Sequence, residues 1–185
     1  MPRMLLLFVV FALVSSRERL VWLCLERCGD SAAASLAEVE KHKELLTGVS
    51  FESYDLGEGG TLVDNGFTDV APALQQMGLS TFAMITTVSN RYLEELLDLH
   101  NPPIIAAALQ VAEQRNLTGF DLDFEPNDAT SEEMAQKYSV FLSRFAAALH
   151  ANGRQLTADI ASWNTFWNFT ALANSTIDHL HQMDT

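Results

Sequence analysis

Positive charge is scarce in this chain. There are 11 Lys and Arg against 24 Asp and Glu, a formal net charge of −13 over 185 residues. So acidic a chain repels phosphate backbones and anionic lipid headgroups, which argues against nucleic acid and membrane surfaces as partners. No Gly-rich phosphate loop follows any apolar run, which argues against a nucleotide-binding open sheet. No low-complexity tract is present. The histidines lack ligand spacing. His42 sits in a charged helical stretch, and His179 and His181 are two apart without further ligands, so no metal and no cofactor is expected. Only two cysteines occur, Cys24 and Cys28. In an oxidising compartment they could pair across a strand end and the following loop. On one extended strand they would be too far apart, leaving a free Cys24 and a loop Cys28.

What the chain does have begins at its N-terminus. A short basic start at Arg3 precedes an uninterrupted apolar run over residues 5–14. Small residues at Ser15 and Ser16 follow, where a signal peptidase would cut. Residues 1–16 therefore read as a secretory signal peptide. The run is short of the roughly 20 residues that span a bilayer, so no membrane insertion is expected once it is removed. Three sequons, at Asn116, Asn168 and Asn174, fit an exported glycoprotein. With 48% hydrophobic residues, residues 17–185 suffice for one sizeable core.

Apolar runs at 20–25, 48–54, 81–88, 118–125 and 155–161 read as strands. Helical patterns lie between them at 31–46, 68–77, 91–99 and 104–116, and in a longer stretch opened by Thr130-Ser-Glu-Glu133, which has the form of a capping box. Residues 57–66 read as a Gly-rich loop. Strand–helix units recurring every ~30–40 residues predict a parallel α/β sheet. Eight such units typically need about 250 residues to close a (β/α)8 TIM barrel. Here there is room for five and, from His181 onward, the start of a sixth strand, so the barrel is expected to be truncated.

The densest chemistry lies in Gly119-Phe-Asp-Leu-Asp-Phe-Glu125. Side chains alternate along a strand, so Asp121, Asp123 and Glu125 share one face, and Phe120, Leu122 and Phe124 the other. In a barrel the aromatic face packs on the outer helices. The acids line the interior, with Glu125 nearest the C-terminal rim where barrel enzymes hold their active sites. Carboxylates roughly 6.5–7 Å apart and partly desolvated repel one another, so at least one is expected to hold a proton well above its ordinary pKa. That places a protonated acid beside an ionised partner at neutral pH. Clustered oxygens could instead hold a divalent cation.

This segment resembles the Asp-Gly-x-Asp-x-Asp-x-Glu signature of glycoside hydrolase family 18, the chitinases and their relatives, on the fourth barrel strand. The resemblance implies a glycosidase acting on a carbohydrate that contains N-acetylglucosamine. It implies Glu125 as the general acid, Asp123 as the group that orients the substrate's 2-acetamido oxygen for attack, and Asp121 as the inner carboxylate sharing a proton with Asp123. Two departures stand out. Thr118 replaces the first Asp, and Thr86-Thr-Val-Ser-Asn90 stands where many members carry Ser-x-Gly-Gly. Met183-Asp184 is similar to the start of the family's Met-x-Tyr-Asp element, which makes Asp184 a candidate acetamido contact.

Other candidates come from position. Trp163 and Trp167 follow the fifth strand on the rim side and could stack on sugar rings, with burial in the core as the alternative. Tyr54, at the end of the second strand, is expected to face the cleft. Asp159 is either a cleft residue or a buried, hydrogen-bonded one. Two rival readings remain: a non-catalytic glycan-binding protein of the same ancestry, and a metal-dependent hydrolase using the same acids.

Overall fold

A computed structural model describes residues 18–29 and 31–183; the expected signal peptide and Asp184 lie outside them. Seven strands form one sheet: β1 (Leu20–Leu23), β2 (Gly48–Leu56), β3 (Leu62–Asp64), β4 (Ser80–Thr87), β5 (Gly119–Phe124), β6 (Gln155–Ile160) and β7 (His179–Gln182). Six run parallel in chain order, β1-β2-β4-β5-β6-β7, and β3 pairs antiparallel with β2. An open doubly wound sheet reverses direction about its first strand. A sheet whose spatial order is its sequence order winds one way only, as a barrel wall does.

Six helices connect the strands: α1 (Ala32–His42), α2 (Val70–Gln76), α3 (Asn90–Asp98), α4 (Pro103–Gln114), α5 (Glu132–His150) and α6 (Phe169–Ala173). Several start on a side-chain cap, such as Ser31 on Ala34 N and Ser89 on Tyr92 N. The long helix α5 starts one residue later than its capping-box pattern suggests. Ser131 Oγ accepts from Met134 N, while the Thr130 hydroxyl donates to Asn164 Oδ1 at 2.6 Å. Gly153, at φ 67°, adopts the left-handed geometry that ends this helix.

The expected alternation on β5 holds. Phe120, Leu122 and Phe124 are fully buried against α5, where Phe124 lies 6.0 Å from Tyr138 and Phe120 lies 6.1 Å from Phe145 between ring centroids. Full burial of each such side chain contributes about 1.5–3 kcal/mol. The opposite faces of β2, β5, β6 and β7 look into the arc. Trp22 on β1 reaches across it to Asp159 on β6, Nε1 donating at 3.1 Å, so the sheet curls far enough for its first and fifth parallel strands to touch.

Two local features were not expected. The stretch read as a Gly-rich loop contains β3, which returns against the end of β2. The register between β2 and β4 also shifts between Glu52 and Tyr54, a β-bulge. The terminal turn of β1 accords with one of the two cysteine readings. Cys24 is disulfide-bonded, and a 3-10 turn over Glu26–Cys28 supplies the sharp bend such a pair requires. The Cys28 side chain lies outside the described residues.

Candidate active site

The site is built on β5. Gly119 opens the strand because nothing larger fits: a Cβ there would stand 2.1 Å from the backbone oxygen of Gln155 on β6. Thr118, which precedes Gly119, ties the strand to β4 by accepting from Thr81 N at 2.9 Å. Its role is structural.

Asp121 is fully buried and surrounded by donors. The Ser50 hydroxyl on β2 donates to Oδ2 at 2.7 Å, and the Thr157 hydroxyl on β6 donates to Oδ1 at 2.5 Å. Asp123, two residues on, has a buried oxygen, Oδ1, without a partner among the described residues. Burial, then the charges of Asp159, Glu125, Asp121 and Glu52, push its carboxyl up to about 8. This is the retained proton that the spacing of the acids implies. Glu125 follows the end of β5, where its N–H donates to Thr87 O at 2.9 Å, and it is less buried than Asp121.

Asp123 opens onto a cavity of about 420 Å³ bounded by Trp22, Glu52, Met84, Asp159 and Met183. The size suits a sugar ring, and the apolar walls with a few converging polar groups are those of a small-ligand site. Glu52 is buried, which raises its pKa against the opposing pull of Arg27, whose Nη1 lies 2.6 Å from Oε1. Arg27 also pairs with Asp55 and donates to Thr86 Oγ1 at 3.1 Å. It thereby joins the cavity to a second one of about 460 Å³, lined by Asp55, Thr86 and Tyr92 at the C-terminal ends of β2 and β4.

On the other side, Asp159 is buried and accepts from Trp22, which resolves its two readings in favour of both: it lines the cavity and is hydrogen-bonded. His181 Nδ1 lies 3.3 Å from Asp159 Oδ1 and 3.7 Å from Asp121 Oδ1. It is off the line of a full hydrogen bond, so the contact is an ion pair. The ligating atoms of Asp121, Asp159 and His181 all lie within 4.8 Å of one another, close enough in principle for a metal. Thr157 and Trp22 already donate to the same carboxylate oxygens, so the cluster reads as a hydrogen-bonded ion group carrying its own cation. His179 turns away to Glu18, 2.6 Å distant, and makes no ligand pair with His181.

Two sequence candidates, Tyr54 and Trp167, fall elsewhere. Tyr54 does not face the cleft. It is 1% exposed and packs 6.3 Å from Phe120 on the helix side, with Arg115 over its ring. The bulge after Glu52 is the cause: unbroken alternation puts residues 50, 52 and 54 inside, whereas the extra residue turns Tyr54 outward and Asp55 inward. Trp167 is 3% exposed, edge-on to Phe166, and does not line the cavity. Trp163 is half exposed, with its ring 5.3 Å from Trp167. Ser50, Glu52, Thr157 and His181 were missed. The alternation that placed the acids of β5, applied to β2, β6 and β7, would have found them.

No family model and no curated protein matches the chain. Solved structures do. A chitinase from Chromobacterium violaceum ATCC 12472 superposes with TM-score 0.74 at 18% identity, over 89% of this chain and 55% of that one. The spore cortex-lytic enzyme SleL of Bacillus megaterium QM B1551 gives 0.76 at 11% identity, over 90% and 41%. A class V chitinase from Nicotiana tobaccum gives 0.71 at 17%, over 89% and 51%; a mutant of it was solved in complex with NAG4. This chain thus has the barrel fold of chitinases and cortex-lytic enzymes, and spans 41% to 55% of the length of these three.

Proposed function

We propose that this chain carries the catalytic carboxylates of a secreted glycoside hydrolase of family 18, cleaving β-linked N-acetylglucosamine sugars with retention and assistance from the substrate. The carrying observation is the graded row on β5. Asp121 is buried and saturated with donors, Asp123 keeps an unpartnered oxygen and a raised pKa, and Glu125 stands at the strand's C-terminal end.

Glu125 is the general acid that protonates the glycosidic oxygen as the bond breaks. The nucleophile is the substrate's own 2-acetamido oxygen, which attacks the anomeric carbon and closes an oxazolinium ring. Asp123, protonated when the substrate arrives, turns its unpartnered oxygen to the acetamido group and steadies the positive charge that develops there. Asp121, the inner carboxylate, adds through its charge to the upward pull on the Asp123 carboxyl. Glu125 then takes a proton from the water that opens the ring. Asp184 follows Met183 of the cavity wall and is a proposed acetamido contact. Trp163 is a proposed stacking surface at the rim. The likeness to a chitinase whose mutant binds NAG4 supports this substrate class. The apolar segment 5–14 supports export, to be checked by N-terminal sequencing of protein recovered from the medium of a eukaryotic host.

Hydrolysis of a chromogenic chitobioside by the full-length protein and by Glu125→Gln tests the reading. Cleavage should fall by about 10²–10⁴-fold in the variant, the usual contribution of a general acid. It should be unchanged by a chelator. Binding without cleavage would instead identify a glycan-binding protein, and loss with chelator a metal-dependent hydrolase.

A further inference from the structure

We propose that His181 is the internal counter-ion of the carboxylate row, its imidazolium seated between Asp121 and Asp159 and balancing their charge. The geometry of donors and acceptors carries this. Every side-chain group around Asp121 is a donor: the Ser50 hydroxyl at 2.7 Å, the Thr157 hydroxyl at 2.5 Å and His181 Nδ1 at 3.7 Å. Asp159 likewise meets the Trp22 N–H at 3.1 Å and His181 Nδ1 at 3.3 Å. At Asp159 the Trp22 N–H can only donate, so a protonated carboxyl would find no acceptor on that side. Asp123 Oδ1, by contrast, is a buried oxygen of the row with no donor among the described residues.

Buried Asp121 and Asp159 and the partly buried Asp123 would repel one another strongly, and a single cation seated between the first two offsets that repulsion. Arg27 does not supply that charge here, because Glu52 and Asp55 hold it at the far side. Among the described residues, the charged and titratable groups facing His181 are Asp121 on β5, Asp159 on β6 and His179 on its own strand. The His179 ring lies parallel at 6.4 Å and is paired with Glu18. Trp22 on β1 closes the fourth side edge-on at 5.7 Å. Burial works against the imidazolium, and the two carboxylates override it, raising His181 to about 9. His181 touches no substrate in this scheme. It is a positioning residue, acting through Asp121 and Asp159.

The direct test needs no activity and leaves His181 intact. The chain has five histidines. Ring Cε1–H signals of the 13C-labelled protein, assigned by replacing His42, His100, His150 and His179 in turn with Gln, give the fifth signal to His181. That signal should remain that of an imidazolium through pH 8. Titration at or below 6.5, the ordinary histidine value, would overturn the proposal. The kinetic test rests on the glycosidase reading. In His181→Asn the row takes up a second proton at neutral pH. The acid limb of the kcat profile should move alkaline by about one unit or more, with KM within about twofold. A profile superimposable on the parent's would contradict the assignment. An NMR result as expected with no chitobioside cleavage by either protein would leave the counter-ion standing and remove the glycosidase instead.

Discussion

Asp123 and Tyr54 show how far a single residue can be read from sequence. The elevated carboxyl of Asp123 is legible in part: alternation on one strand puts three acids on one face, while burial, the largest cause, and Asp159 on β6 come from the fold. Tyr54 could not be read, because its orientation depends on a bulge in β2 that no residue type announces. For His181, alternation on β7 marks an inward position but not its partners, which lie 60 and 22 positions earlier and meet it only through the curl of the sheet. The placement of Tyr54 gives a clear expectation. Its hydroxyl is buried without a partner, and burial pushes its pKa up to about 12. Tyr54→Phe removes an unsatisfied donor, so it should leave KM for a chitobioside unchanged and stability equal or higher by about 1 kcal/mol in urea unfolding. A several-fold rise in KM would return Tyr54 to the cleft.

At the level of elements, the strands with long apolar runs and the helices with caps were legible because burial and capping both leave local marks. β3 was not, since its three residues sit in a glycine-rich stretch and owe their pairing to β2. The start of α5 moved by one residue because two adjacent hydroxyls competed for the cap and Asn164 took the first. At Gly119 the backbone of β5 lies close against that of β6. Gly119→Ala should destabilise by about 3 kcal/mol, since the backbone of Gln155 must yield to admit one methyl group. An unchanged urea midpoint would show that the two strands are not so closely packed.

Across the whole molecule, six parallel strands in chain order gather groups from β1, β2, β5, β6 and β7 around one cavity. That convergence makes folding stability depend on pH. Asp123 rises from 3.8 to about 8 and His181 from 6.5 to about 9. Between pH 6.5 and 8 the unfolded chain has released both protons while the folded chain keeps them. Stability therefore falls as pH rises through this window, by about tenfold in the folding equilibrium per unit for each proton. Urea midpoints across the window should drop, and Asp123→Asn should remove roughly half of the slope. The central claim is that the acids of β5 act through the substrate's acetamido group. Proton NMR of the full-length protein acting on an aryl di-N-acetylchitobioside, beside the matching aryl cellobioside, tests it most directly. A newly released sugar of β configuration is expected from the first and no reaction with the second. Release of the α anomer, or equal cleavage of the two, would contradict it.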